Sequence, residues 1–343
     1  MDRKYRILSI DGGGVRGIIP ATIIVYIENR LQRITKNPDV RISHYVDFIA
    51  GTSTGGILAS AYLCPSDTDA SIPKFTAEDA LRFYLERGGY IFSSGMWDKL
   101  ISLGGIIKER YAALPLEKFL AVSFRNVKVS ELMKPCLLTS YEIEKKKPVF
   151  FQSHVAKNEE AYDFFVRDAC RATSSAPTFF EPARIQSISG ETYTLIDGAV
   201  LANNPTLCAL SEAAVLFAEN GIPLTADRFE VISLGTGKNQ KTYTYDQVKD
   251  WGGLGWLNPL LDVMMNGVSD TTERELSVLF QSLQASGQYH RIQPELLHAN
   301  AEMDDASSGN IQLLMEAAAA CIEKHKDDLE VIIQRLIQYD KAL

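Results

Sequence analysis

Apolar residues first dominate a short stretch over 5–10, broken by Arg6 and Ser9, then return at helical spacing, Ile23, Ile27, Leu31 and Ile34, along 18–34. The stretch predicts a buried strand and the spacing a helix, with a glycine-rich turn between them and Pro20 in the first helical turn. The order then repeats. An apolar run over 45–50 ends at Gly51, and residues 54–63 predict a helix. Strand, turn and helix repeated in this way favour a parallel sheet with helices on its faces. Residues 135–143 and 148–153 predict two strands joined by 144–147, and 161–172 a helix closed by Pro177. Residues 195–196 and 229–234 predict strands ending at glycine turns, and helices over 310–324 and 327–339 finish the chain. The expected fold is α/β, a single domain over 1–343 with a central, mostly parallel sheet sandwiched by helices. No repeat, low-complexity tract or Pro/Ser-rich linker marks a boundary within it.

Composition narrows the function classes. With 46% hydrophobic and 23% charged residues the chain matches an ordinary globular protein. A formal net charge of −8 gives no general basic field for nucleic acid, and Lys145-Lys146-Lys147 reads as a solvated turn. Five scattered cysteines with no CxxC suggest neither a disulfide framework nor a zinc site. No signal-peptide core opens the sequence, and no apolar run approaches the ~18 residues of a spanning helix. The expectation is a cytoplasmic protein with at most peripheral membrane contact.

Two turns carry chemistry. Gly51-Thr52-Ser53-Thr54-Gly55 matches G-x-S-x-G between a predicted strand and helix, where a sharp turn exposes the serine and the helix N-terminus favours a developing alkoxide. Asp11-Gly12-Gly13-Gly14-Val15-Arg16-Gly17 also joins a strand to a helix. It satisfies G-x-G-x-x-G, a dinucleotide fingerprint, but the second strand ends in the serine turn and not in the acidic residue that would hold a ribose. The same glycines also suit an oxyanion hole, with backbone N–H groups aimed at the oxygen that becomes negative. Arg16 and Thr54 are candidate substrate-binding residues, Arg16 either for a phosphate or headgroup or as a solvated surface arginine.

The base for Ser53 stays open on the residues alone. An α/β-hydrolase order requires a later histidine: His290, His298 or His325. His298 and His325 lie in polar, helix-like surroundings, and His290 sits in a strand-like segment. Asp197, in Leu195-Ile196-Asp197-Gly198, ends an apolar strand before a glycine, where sites form in parallel sheets. It is also an ordinary Asp-Gly turn.

Ile10 to Gly17, Gly51 to Gly55 and Asp197-Gly198-Ala199 together resemble the patatin-like phospholipases, in order and approximate spacing. Ala176-Pro-Thr-Phe-Phe180, Asn203-Asn-Pro205, Ser233-Leu-Gly-Thr-Gly237, Lys241-Thr-Tyr-Thr244 and Glu302-Met-Asp-Asp-Ala-Ser307 extend the resemblance along nearly the whole chain, the core motifs lying in 5–205. It implies a lipid acyl hydrolase with Ser53 as nucleophile, Asp197 as direct base, an oxyanion hole at Gly12, Gly13 and Gly14, an acyl-enzyme intermediate, and neither metal nor cofactor. The implied partner is a lipid or membrane surface. Unlike the plant proteins, this sequence shows no secretory signal, which points to an intracellular lipase over a storage role. An aspartate at its ordinary pKa of ~3.9 is a weak base, so the site must supply a dry pocket. Residues 88–97, ending in Trp97, and 251–261, containing Trp256, mix aromatics and glycine in loop-like contexts. They read either as packed loops or as a membrane-touching lid.

Overall fold

The computed structural model describes residues 4–91, 111–219, 221, 225–238 and 242–340. Among these the strands are β1 Tyr5–Ile10, β2 Phe48–Gly51, β3 Cys136–Glu142, β4 Lys147–Gln152, β5 Ala183–Gln186, β6 Thr192–Asp197, β7 Phe229–Leu234 and β8 Tyr289–Ile292. The longer helices are α1 Ile18–Thr35, α2 Thr54–Leu63, α3 Ala77–Ile91, α4 Leu114–Phe124, α5 Val166–Thr173, α6 Thr206–Glu219, α7 Gly253–Ser282, α8 Ser308–Lys324 and α9 Lys326–Asp340.

All eight strands join one sheet in the order β5-β6-β3-β2-β1-β7-β8, with β4 also paired to β3. Side chains alternate across it with the strand period of two. Leu8, Ile10, Ile49, Leu138 and Ile232 enter a core shared with α1 and α2. Ile7, Phe48, Ala50, Leu137 and Val231 enter a second core with Ala209, Ala213 and Phe217 of α6 and Leu276 and Phe280 of α7. Helices therefore cover both faces, and each buried Leu, Ile or Phe contributes roughly 1.5–3 kcal/mol. The α1 and α2 predictions hold to within a residue, because strongly periodic segments choose their own faces.

The sheet is mixed. β3, β2, β1, β7 and β8 run parallel, whereas β4, β6 and β5 are antiparallel to their neighbours. The turn between β3 and β4 is too short for anything but an antiparallel pair. Helix α5 starts five residues later than the sequence suggests. The Asp163 carboxylate is spent on the Ser130 amide at 3.0 Å and hydroxyl at 2.7 Å, which holds the preceding segment in a short 3-10 turn at Glu160–Tyr162.

The loop-like reading of 251–261 is corrected: from Gly253 the chain is helix α7, with Pro259 inside it. An interior proline costs ~3 kcal/mol, and tertiary packing offsets it. Helix α7 lies on the turn that follows β6, where the Asn203 side-chain amide donates to Ser269 Oγ at 3.0 Å. Trp97 and part of Lys241-Thr-Tyr-Thr244 lie outside the described residues. All five cysteines are free thiols, and no helix among the described residues is long and apolar enough to cross a membrane.

Candidate active site

β1 and β2 pair in parallel with Ile10 opposite Gly51, so the glycine turn and the serine turn leave the sheet side by side. The serine turn is tight. A Cβ on Gly55 would stand 2.2 Å from the Ile10 carbonyl oxygen, so only glycine lets α2 approach β1 this closely. Ser53 is held at φ 55, ψ −121, a conformation that side chains rarely adopt and that costs of order 1–3 kcal/mol. Its amide donates to Thr173 Oγ1 at 2.9 Å, which fixes the turn from behind.

Asp197 reaches the same place by a route the sequence does not announce. Its strand is antiparallel, not parallel, and β3 sets the register: β4 takes one edge of β3, and along the other edge Leu138 faces Gly51 and Ser140 faces Asp197. The two turns are then tied together. Thr52 Oγ1 lies 2.7 Å from Thr139 Oγ1 and donates to the Ala202 carbonyl at 2.6 Å. The Asp197 carboxylate accepts the Ala199 amide at 2.8 Å and shares its pocket with the Ser53 side chain, whose interaction with the carboxylate lowers its pKa. Only 1% of Asp197 and 8% of Ser53 is exposed. Burial raises the Asp197 pKa to about 7, against the Ala199 amide and the Ser53 side chain, which lower it. Desolvation penalises the charged form, and a carboxylate with a pKa near neutral can take up and release a proton at neutral pH.

The glycine turn presents its donors unequally. The Gly12 amide is spent on the Asn203 carbonyl at 3.1 Å, whereas the Gly13 and Gly14 amides have no acceptor among the described residues. In a trans peptide the C=O and N–H point opposite ways. Thr236 Oγ1 donates to the Gly12 carbonyl at 2.7 Å, which turns the Gly13 amide away from Thr236. Arg16 donates to the Gly13 carbonyl from Nε at 3.4 Å and to the Gly237 carbonyl at 3.1 Å, which turns the Gly14 amide the other way. Gly14 sits at φ +59, where a Cβ would meet the Met303 carbonyl oxygen at 2.2 Å.

Arg16 is 5% exposed, so it is neither a surface arginine nor a reaching headgroup ligand; it braces the loop. Burial lowers its pKa, opposed by Asp262, Glu302 and Asp11. Thr54 lines the pocket with its hydroxyl 2.5 Å from the Tyr84 hydroxyl. Thr236, and Arg291 that donates to the Asp11 carboxylate at the start of the glycine loop, had no signal in the serine motif; both come late in the chain, from the turn after β7 and from β8.

Ser53 and Asp197 open into a pocket of about 770 Å³ of atom-free space, counting its mouth. Its walls include Ile57, Phe83, Tyr84, Phe119, Phe179 and Met265. Such a lining takes hydrocarbon. No histidine is among the described residues that line it. His290 Nε2 is instead 2.8 Å from Glu230, and His325 is 3.3 Å from Asp328.

The patatin-like phospholipase profile matches residues 8–210, which include both turns and Asp197. Patatin-like protein 1 of Oryza sativa subsp. indica is 33% identical over 99% of this chain and 86% of its own length. Patatin-2-Kuras 1 of Solanum tuberosum is 34% identical over 98% and 92%, and Patatin-04/09 of the same plant 33% over 100% and 90%. The chain belongs to the patatin-like phospholipase family and is a lipid acyl hydrolase.

Proposed function

We propose that the protein cleaves fatty-acyl esters of phospholipids or related lipids through a Ser53–Asp197 dyad. Ser53 Oγ attacks the ester carbonyl as its proton passes to Asp197. The Gly13 and Gly14 amides receive the oxyanion, each such donor being worth ~10²–10³ in rate. The tetrahedral intermediate collapses, the C–O bond to the alcohol breaks, and the alcohol leaves with the proton from Asp197. Water then attacks the acyl-enzyme, Asp197 takes its proton, and the fatty acid departs as Ser53 is reprotonated. Gly12 shapes the turn and donates within the protein.

The observation that carries this reading is a buried carboxylate, with its pKa raised to about 7, lining the same apolar pocket as the serine. The whole chain acts as one catalytic domain, since β7, β8 and Arg291 all brace the site. The substrate-side surface is proposed to include the exposed row Trp256, Leu260, Val263 and Met264 of α7, beside the pocket residue Met265. Fluorophosphonate labelling followed by peptide mass spectrometry tests the assignment, together with Ser53→Ala and Asp197→Asn on a fatty-acyl ester. Label on Ser53 and loss of turnover in both variants is expected; full activity in either variant refutes the dyad.

A further inference from the structure

The acyl pocket shares a wall with a second cavity. Phe83 of α3 and Phe119 of α4 line the pocket above Ser53 and Asp197, and the same two rings line a groove on the outside of these helices. That groove is lined also by Phe75 and Val122 and by the charged residues Asp79, Arg82, Glu86 and Lys118. The two shared rings meet edge to face, with centroids 5.0 Å apart and planes at 76°. Phe75 backs Phe83 in the same way, at 5.2 Å and 81°. Both shared residues are half-buried, as a partition between an interior and a surface cavity must be.

We infer that the Phe83–Phe119 pair is the chain-length stop of the acyl pocket. The inference rests on the Ser53–Asp197 reading, because that reading says which contents the pocket has. The chemistry of the partition follows from its two sides. An acyl chain bonded to Ser53 runs along Ile57, Phe83, Tyr84 and Phe119, and extra methylenes beyond the rings have no room unless the rings give way. The space behind them is not closed core but a groove with Phe75 and Val122 in its lining. Truncating one ring therefore joins the two cavities, and the apolar part of the groove gives hydrocarbon a favourable place to go. Enlarging a ring shortens the space instead. The pair selects by exclusion, so it changes discrimination between chains and leaves the reaction at the carbonyl unaltered.

The test is the chain-length profile on p-nitrophenyl esters from butyrate to palmitate in detergent mixed micelles. Phe119→Ala is expected to move the optimum to longer chains and to raise the palmitate-to-octanoate ratio of kcat/KM about tenfold. Phe119→Trp is expected to move it to shorter chains. Adding Val122→Trp to Phe119→Ala refills the groove and should return the optimum toward wild type, a result that mere loosening of the fold cannot give. Phe83→Leu and Phe119→Trp carry the test if Phe119→Ala does not fold. An unshifted optimum in the folded variants overturns the inference, as does an equal fall at every chain length. A wild-type protein inactive on the whole series and unlabelled by fluorophosphonate would instead refute the proposed function.

Discussion

Arg291 grips both carboxylate oxygens of Asp11, Nη1 at 2.9 Å and Nη2 at 2.6 Å, with the two side chains 6% and 2% exposed. Asp11 is the residue from which the glycine loop leaves β1, and Arg291 stands on β8 at the far side of β7. Burial pulls the arginine's pKa down, and the Asp11 carboxylate outweighs it and raises it. The pair therefore anchors the loop by its first residue, while Thr236 and Arg16 aim its amides. Arg291→Lys keeps the charge and loses the fork. It is expected to lower kcat at least about tenfold, a fraction of the ~10²–10³ carried by an oxyanion donor, while KM stays within about twofold. Steady-state kinetics on a soluble fatty-acyl ester checks it. Arg291→Ala leaves a buried carboxylate unpaired and is expected to cost about 3–5 kcal/mol of stability.

The raised pKa of Asp197 has two consequences with opposite sign. As the base it must be ionised, so kcat/KM is expected to rise with pH and level off above about 7. For stability, the folded state holds the proton over a window in which the unfolded chain, near the ordinary aspartate value of 3.8, has lost it. Stability from this group is thus complete below the unfolded pKa and is lost as pH rises through the folded one. Asp197→Asn, which carries no charge, should melt above wild type at alkaline pH, by a ceiling of about 4 kcal/mol at 1.36 kcal/mol per unit. The gap should close toward pH values near the unfolded pKa. Thermal melts of both proteins across that range decide it, and a constant gap would contradict the assignment.

His290 is the residue a histidine triad would use, and its ring is occupied elsewhere. Its Nε2 meets Glu230, which is fully buried, and Arg335 also reaches that carboxylate at 3.0 Å. His290→Ala is expected to keep turnover within about threefold of wild type while lowering the melting temperature, because a buried acceptor loses a partner at about 1–3 kcal/mol. Parallel measurement of activity and melting separates the two effects.

How much of this was legible in the sequence depends on where the information lies. β1, α1, β2 and α2 were legible because their apolar spacing, glycine turns and G-x-S-x-G geometry are all local. The approach of Asp197 was not, since it depends on β3 pairing in parallel with β2 and antiparallel with β6, a non-local choice that leaves no mark near Asp197. Arg16 looked free to meet a headgroup because nothing near it in sequence predicts that Gly237 would supply its acceptor. Helix α7 was hidden by Gly252, Gly253, Gly255 and Pro259, local breakers overruled by packing on the turn after β6.

Helix α7 also exposes what it does not pack. Trp256, Leu260, Val263 and Met264 are 39%, 46%, 47% and 39% exposed, and Trp256 stacks edge to face on Trp251 at 5.2 Å. Trp favours the level of lipid headgroups. The double variant Trp256→Ala, Leu260→Ala is expected to weaken sedimentation with phosphatidylcholine vesicles at least about tenfold, from the apolar area it removes. Hydrolysis of a dispersed short-chain ester should stay near wild type. Equal binding by variant and wild type would show that α7 does not face the lipid.

The backbone of Ser53 gives the last prediction. Ser53→Ala and Ser53→Gly both delete the hydroxyl, both remove its interaction with Asp197, and both should abolish turnover. They differ in one respect: at φ 55, ψ −121 alanine keeps the strain of a side chain, and glycine relieves it. Ordinarily glycine in place of alanine costs about 0.5–1 kcal/mol through the unfolded chain's entropy. Here the relief of order 1–3 kcal/mol exceeds that cost, so Ser53→Gly should be the more stable of the two inactive proteins by about 1 kcal/mol. Urea denaturation of the pair measures the difference with every lost contact held in common. An alanine variant as stable as the glycine one would mean that the turn relaxes once the hydroxyl is gone, and that Asp197, not the backbone, holds the serine in place.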